Sequence, residues 1–194
     1  MSRWEPNASG RLQRAALELY SERGYDQTTV TEIAKRAGLT ERTFFRYFAD
    51  KREVLFYGSG MLQERLVQGI DDAPTTLSAL DAVGAALIAA AEPIEEIREF
   101  SRRRQAVVAA NPELQERELI KLAALSTALS DALRGRGMAD LTASLAAEAG
   151  LAVFKVAFQR WVDEPGDSGG RTLAQRIRES LAELKAVAAG SGPA

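Results

Sequence analysis

The chain has no cysteine and no histidine among its 194 residues. The first absence excludes a disulfide framework and thiol chemistry. The second removes imidazole metal sites, Ser–His and Cys–His catalysis, and the usual pH switch near neutrality. There is no glycine-rich phosphate loop and no carboxylate pair at a meaningful spacing, so enzymatic function is not expected. Aromatic residues make up 7%, and β-branched residues are sparse beside alanine and leucine, a balance that favours helix. No apolar run reads as long enough to span a bilayer, and the opening MSRWEPNASG lacks the apolar stretch of a signal peptide, so a cytoplasmic protein is expected. An excess of positive charge is missing too. The net charge is −2, yet residues 1–56 carry 10 Lys and Arg against 8 Asp and Glu, and the remainder carries 15 against 19. Nucleic-acid binding would therefore rest on where the cations sit and not on their total.

What is present is a sharply marked stretch from Thr29 to Lys51, TVTEIAKRAGLTERTFFRYFADK. Thr29 with Glu32 forms a capping box, so a helix begins there. Val30, Ile33, Ala34 and Ala37 recur at helical spacing and form its buried face. Gly38 suits the left-handed residue that ends a helix. Thr40 caps a second helix, with Leu39 and Phe44 placed for a hydrophobic staple. Phe44 and Phe48 share an apolar face. On the other side, Arg42 and Arg46 are one turn apart, and Thr43 and Tyr47 form an adjacent strip. Two short helices around a glycine turn are the helix-turn-helix pattern. Arginine can read guanine edges in the major groove, while hydroxyls, lysine and the free N–H groups at Thr40 hold phosphates. A solvated basic face on a small bundle would show the same spacing.

The segment from Arg11 to Phe56 closely resembles the N-terminal domain of the TetR family of transcriptional regulators. The matching residues are Ala15, Leu19, Gly24, Tyr25, Thr28, Thr29, Val30, Ile33, Ala34, Ala37, Gly38, Thr43, Phe45, Tyr47, Phe48 and Lys51. The resemblance implies an all-α protein that grips double-stranded operator DNA as a homodimer, with a helical C-terminal domain holding a small-molecule pocket. Arg42, Thr43, Phe45 and Arg46 are then the base-edge candidates. Thr28, Thr29, Thr40, Tyr47 and Lys51 are the phosphate candidates. The family often has tyrosine where Phe45 stands, so a phosphate contact at Phe45 is missing here.

About nine helices are expected in all, divided into a helix-turn-helix domain over 1–56 and a ligand and dimer domain over 57–194. Residues 1–8 read as a loose arm carrying Arg3. Ser9 caps the first helix, which Gly24 closes. A helix opened by Asp50 runs to about Ile70, interrupted by Gly58 and Gly60. Others follow from Leu77 to Ala91, from Pro93, from Asn111–Pro112 to Gly135, from Asp140 to Val162 and from Arg171 to Ala188. Residues 165–170 read as a flexible loop and 189–194 as a frayed tail. The basic run Arg102–Arg104 is a solvated face or a clamp for an anionic ligand.

Phe100, Arg103, Val107, Leu122, Leu125, Leu129, Phe154 and Phe158 are the pocket candidates. Ala146, Ala147, Ala149 and Gly150 would admit a close partner helix. In TetR-like proteins the last long helices pair across the dimer. The surplus apolar face accordingly points to Leu151, Phe154, Phe158, Trp161, Leu173, Ile177, Leu181 and Leu184 as interface. NPELQERELIKLAALSTAL and VAFQRWVDEP also resemble a subgroup associated with acyl-CoA-type effectors. The reading is a repressor released by a small, largely apolar effector, with no cofactor. An activator, or a binding protein with a purely structural helix-turn-helix, remains open.

Overall fold

A computed structural model describes residues 7–164 and 170–190. The expectations for the arm at 1–6, the loop at 165–169 and the tail at 191–194 lie outside the described residues. Among the described residues there are nine α-helices, one 3-10 turn and no strand. The helices are α1 (Ala8–Arg23), α2 (Val30–Arg36), α3 (Glu41–Tyr47), α4 (Ser59–Asp71), α5 (Ala79–Glu95), α6 (Arg98–Ala109), α7 (Pro112–Gly135), α8 (Asp140–Asp163) and α9 (Leu173–Ala188).

Several boundaries differ from the expected ones. Asn7, not Ser9, caps α1; its side chain accepts from Gly10 N at 2.9 Å. The helix expected from Asp50 to Ile70 is broken. Glu53–Phe56 forms the 3-10 turn, and α4 starts afresh at Ser59. Pro93 lies inside α5 near its end instead of opening the next helix. Pro112 does open α7.

The chain divides into two compact units. The first holds the segment up to Ser59 together with Arg103–Leu119; the second holds Gly60–Arg102 and everything from Ile120 onward. A boundary near 56 does not anticipate that the end of α6 and the start of α7 join the first unit. In that unit the buried apolar residues include Leu12, Leu17, Ile33, Phe44, Val54 and Leu114. The braces across it are polar. Arg104 Nε donates to Leu55 O at 2.8 Å, Arg117 pairs with Glu53, and Tyr25 donates to Glu113 at 3.3 Å.

The second unit is built on α5, α8 and α9, which pack on one another around Val83, Leu87, Leu151, Trp161, Leu173 and Ile177. At the α5–α8 crossing, Gly150 is so close to Val83 that a Cβ would collide with it. The small residue there serves a helix of the same chain. By length and composition α8 is also apolar enough to cross a membrane, which corrects the expectation that no such run exists.

Candidate nucleic-acid interface

The surface is set up by local chemistry. At the head of α2, the Thr29 hydroxyl accepts from Glu32 N, and Glu32 accepts from Thr29 N at 2.9 Å, completing the capping box. These bonds to Thr29, and then Arg23, hold the Glu32 carboxyl below its ordinary pKa. The other end of α2 closes as a Schellman motif: Leu39 N donates to Ala34 O at 2.8 Å and Gly38 N to Lys35 O at 3.0 Å. Gly38 sits at φ 65, and a side chain there would also meet Arg11, whose guanidinium caps Ala37 O. This turn fixes the angle at which α3 leaves α2.

Thr40 caps α3, its hydroxyl accepting from Thr43 N at 3.2 Å. Phe44 and Phe48 are buried, with ring centroids 5.3 Å apart. They anchor the inner face and turn the opposite face outward. Arg42, Arg46 and Tyr47 are exposed, and Phe45 is 55% exposed despite its apolar ring. The Arg46 guanidinium lies 4.9 Å from the centroid of the Tyr47 ring and donates to its hydroxyl at 3.3 Å. That pairing limits the rotamers of both side chains and holds one cation and one hydroxyl together at the end of α3. Tyr47 is therefore a surface residue. Arg42, Thr43, Phe45, Arg46, Thr40 and Thr29 all stand on or beside this surface.

Two phosphate candidates do not. Thr28 is 1% exposed, and its hydroxyl donates to Gly24 O at 2.8 Å; it closes the turn after α1. Lys51 points inward. Its ammonium donates to Tyr25 O at 2.9 Å and Thr28 O at 3.2 Å and rests 4.2 Å from the Tyr25 ring centroid, while its own carbonyl accepts from Tyr20 at 2.6 Å. Lys51 latches that turn to the end of the helix-turn-helix. Sequence spacing could not show this, because the acceptors are backbone carbonyls more than twenty positions away. Burial first, then nearby negative charge, raises the pKa of Tyr20 and Tyr25, so both stay protonated donors.

The eight pocket candidates are split. Leu125, Leu129, Phe154 and Phe158 belong to the apolar core of the second unit, and Phe100 and Leu122 are half-buried. Arg103 and Val107 lie in the first unit, where Arg103 is exposed and Val107 is buried. Arg102 pairs with Glu99 at 2.9 Å and Arg104 with Glu118 at 3.0 Å, while Arg103 between them is exposed. The interface candidates divide. Leu151, Trp161, Leu173 and Ile177 are buried within the chain, which corrects those four, whereas Phe154, Phe158, Leu181 and Leu184 are only partly buried against the same core. The apolar residues of α8 left uncovered are Leu141, Leu145 and Val156.

A capped recognition helix with an outward cationic face, on an all-α chain with a second helical unit, defines a DNA-binding regulator of the helix-turn-helix class. The profile of bacterial regulatory proteins of the tetR family matches residues 12–57, and that of the MftR C-terminal domain matches residues 77–189. The chain belongs to the TetR family, with a C-terminal domain of the MftR type. The putative mycofactocin biosynthesis regulator MftR of Mycobacterium tuberculosis is 34% identical over 107 residues, 54% of this chain and 52% of that protein. The regulator TcmR of Streptomyces glaucescens is 37% identical over 75 residues, 39% of this chain and 33% of that protein. The chain thus matches about half or less of these curated relatives. In fold it is similar to the Bacillus subtilis regulator FadR solved with stearoyl-CoA, at a TM-score of 0.60 and 21% identity over 90% of this chain and 96% of that one.

Proposed function

We propose that this chain is a ligand-responsive transcriptional regulator of the cytoplasm, a homodimer that represses from operator DNA and is released by a small, largely apolar effector. The outward face of α3 carries the reading: Arg42, Phe45 and Arg46 exposed on a helix whose other side is locked by Phe44 and Phe48. Arginine forks fit guanine O6 and N7, and the Phe45 ring fits a thymine methyl. The hydroxyls of Thr29, Thr40 and Tyr47 flank that face at phosphate-contact positions. A dimer would present two such helices to half-sites one helical turn apart or a multiple of it. Release then requires an effector that favours a dimer whose α3 spacing no longer fits.

The effector is of acyl-CoA type in this reading. Support comes from the apolar side chains of Leu125, Leu129, Phe154 and Phe158 in the second unit and from stearoyl-CoA in the fold-similar FadR. Gel shifts with the DNA upstream of the chain's own gene, with and without long-chain acyl-CoA, test both parts. A retarded band that acyl-CoA dissolves is expected. A band indifferent to acyl-CoA removes the effector, and no band on any duplex at low salt removes the regulator.

A further inference from the structure

We infer that Glu41 is a specificity-determining residue of α3, whose carboxylate accepts a hydrogen bond from the N4 amino group of a cytosine in the major groove. The inference rests on the DNA-binding reading above and adds one base to it. Glu41 is exposed, one turn before Phe45 on the same side of α3. It is the wrong charge for a surface that meets a polyanion. The other acids of α1–α3, Glu18, Glu22 and Glu32, each pair with an arginine. Among the described residues Glu41 is paired with no cation, although Arg42 stands beside it and Arg46, turned to Tyr47, lies on the same helix. Its partner is the Thr31 hydroxyl of α2, which donates to Oε1 at 2.6 Å.

That bond decides what the carboxylate can do. It occupies Oε1, holds the side chain between α2 and α3, and leaves Oε2 as an acceptor with no proton to give. Phosphate oxygens, guanine O6 and N7, adenine N7 and thymine O4 are acceptors too and repel it. The donors in the major groove are the amino groups of cytosine and adenine. Adenine N6 stands beside the acceptor N7, an edge that suits the donor–acceptor amide of Asn or Gln. Cytosine N4 has only a C–H beside it, so an acceptor alone suffices. Glu41 thus selects by exclusion as well as attraction, because a wrong base sets the carboxylate against another acceptor. The dipole of α3 also favours an acid at this end, which explains why the free protein tolerates the charge but gives no preference among bases.

Selection from a randomised duplex library by the full chain, followed by titrations on the selected duplex and its single-base-pair variants, decides it. The wild type is expected to select a cytosine at one position of each half-site, and changing that C·G pair to T·A should weaken binding about five- to tenfold. Glu41→Gln should move the preference at that position alone to adenine, and Glu41→Ala should erase it there alone. Thr31→Val should blunt it, because the carboxylate is no longer held. Glu41 and Thr31 are both exposed, so circular dichroism melts should show all three variants folded. Glu41 variants that bind every duplex more tightly while keeping the wild-type preferences overturn the inference: Glu41 would then only link α2 to α3 and repel phosphate, and the regulator would stand. A wild type that selects no sequence at low salt overturns the reading of α3 itself.

Discussion

Two helices, α3 and α8, each leave a face uncovered, and the two faces are opposite in kind. On α3, seven residues long, the uncovered face is cationic and aromatic, and its aim depends on two buried phenylalanines and a capped turn. On α8, 24 residues long, the uncovered side includes the large aliphatic Leu141, Leu145 and Val156, and the covered one is made of alanine, glycine, leucine, valine and Trp161. Hydration explains the contrast. A charged face is stable in water and can wait for a polyanion, whereas an exposed row of large aliphatic side chains is a standing free-energy cost until something apolar covers it. Substitutions on the covered sides should therefore damage the fold, and those on the uncovered sides should damage association.

The largest effect is expected at Phe44. It is fully buried beneath the residues that face outward, and Phe44→Ala should cost about 3–5 kcal/mol. Chemical denaturation should show the loss confined to the first unit, with DNA binding lost alongside. A variant that keeps its stability would mean α3 is held by something other than its aromatic side. Next comes the covered side of α8. Gly150→Ala drives a methyl into Val83, a β-branched side chain with little freedom to yield, and should cost about 1–3 kcal/mol. Gly84→Ala meets the more flexible Leu181 and should cost less, so equal melting temperatures for the two would break that explanation.

The head of the molecule was legible in the sequence because its signals are short-range. The capping box spans three residues, Gly38 is needed where φ is positive, and Phe44 and Phe48 are one turn apart. Each element could be read without knowing what packs on it. The roles of Thr28 and Lys51 are not legible in that way, because their partners, the carbonyls of Gly24, Tyr25 and Thr28, carry no side-chain signature. α8 failed differently. Ser144, Glu148, Lys155 and Gln159 mark one polar strip, but apolar residues fill most of the remaining circumference, and nothing local says that Leu151 and Trp161 face inward while Leu141 and Leu145 beside the strip face out. Only the positions of α5 and α9 decide it. The joining of Arg103–Leu119 to the first unit, with Leu114 buried and Arg117 paired with Glu53, is set by tertiary placement alone.

On the uncovered side of α3, Arg46→Ala should leave folding intact and cost about 1–3 kcal/mol of binding to a preferred duplex if the arginine reads a guanine. A loss equal on all sequences would reassign Arg46 to phosphate. Lys51→Ala should do the reverse. It removes two hydrogen bonds to carbonyls and a ring contact, so stability should fall by about 1–2 kcal/mol while the salt slope of DNA binding stays nearly unchanged. A slope flatter by about one unit would return Lys51 to the interface.

The smallest effect separates the cap of α2 from the face it supports. Thr29→Ala removes the capping hydroxyl and should cost about 1 kcal/mol. It also has a pH signature. The Glu32 carboxyl is held below its ordinary pKa first by hydrogen bonds from Thr29. A depressed carboxylate contributes stability above its unfolded pKa, and that contribution is lost as pH falls through the folded value. The wild-type first unit should therefore lose stability on acidification below the ordinary glutamate range, and Thr29→Ala should lose less, because the bonds that lowered the pKa are gone. Thermal melts of both proteins from neutral pH into that range measure the difference. Parallel pH curves would show that the cap contributes geometry but no charge stabilisation. DNA binding at neutral pH should weaken through the fraction of α2 that frays and through the lost Thr29 hydroxyl at its phosphate-contact position, equally on all sequences, since Arg42, Phe45 and Arg46 keep their own helix and its Thr40 cap.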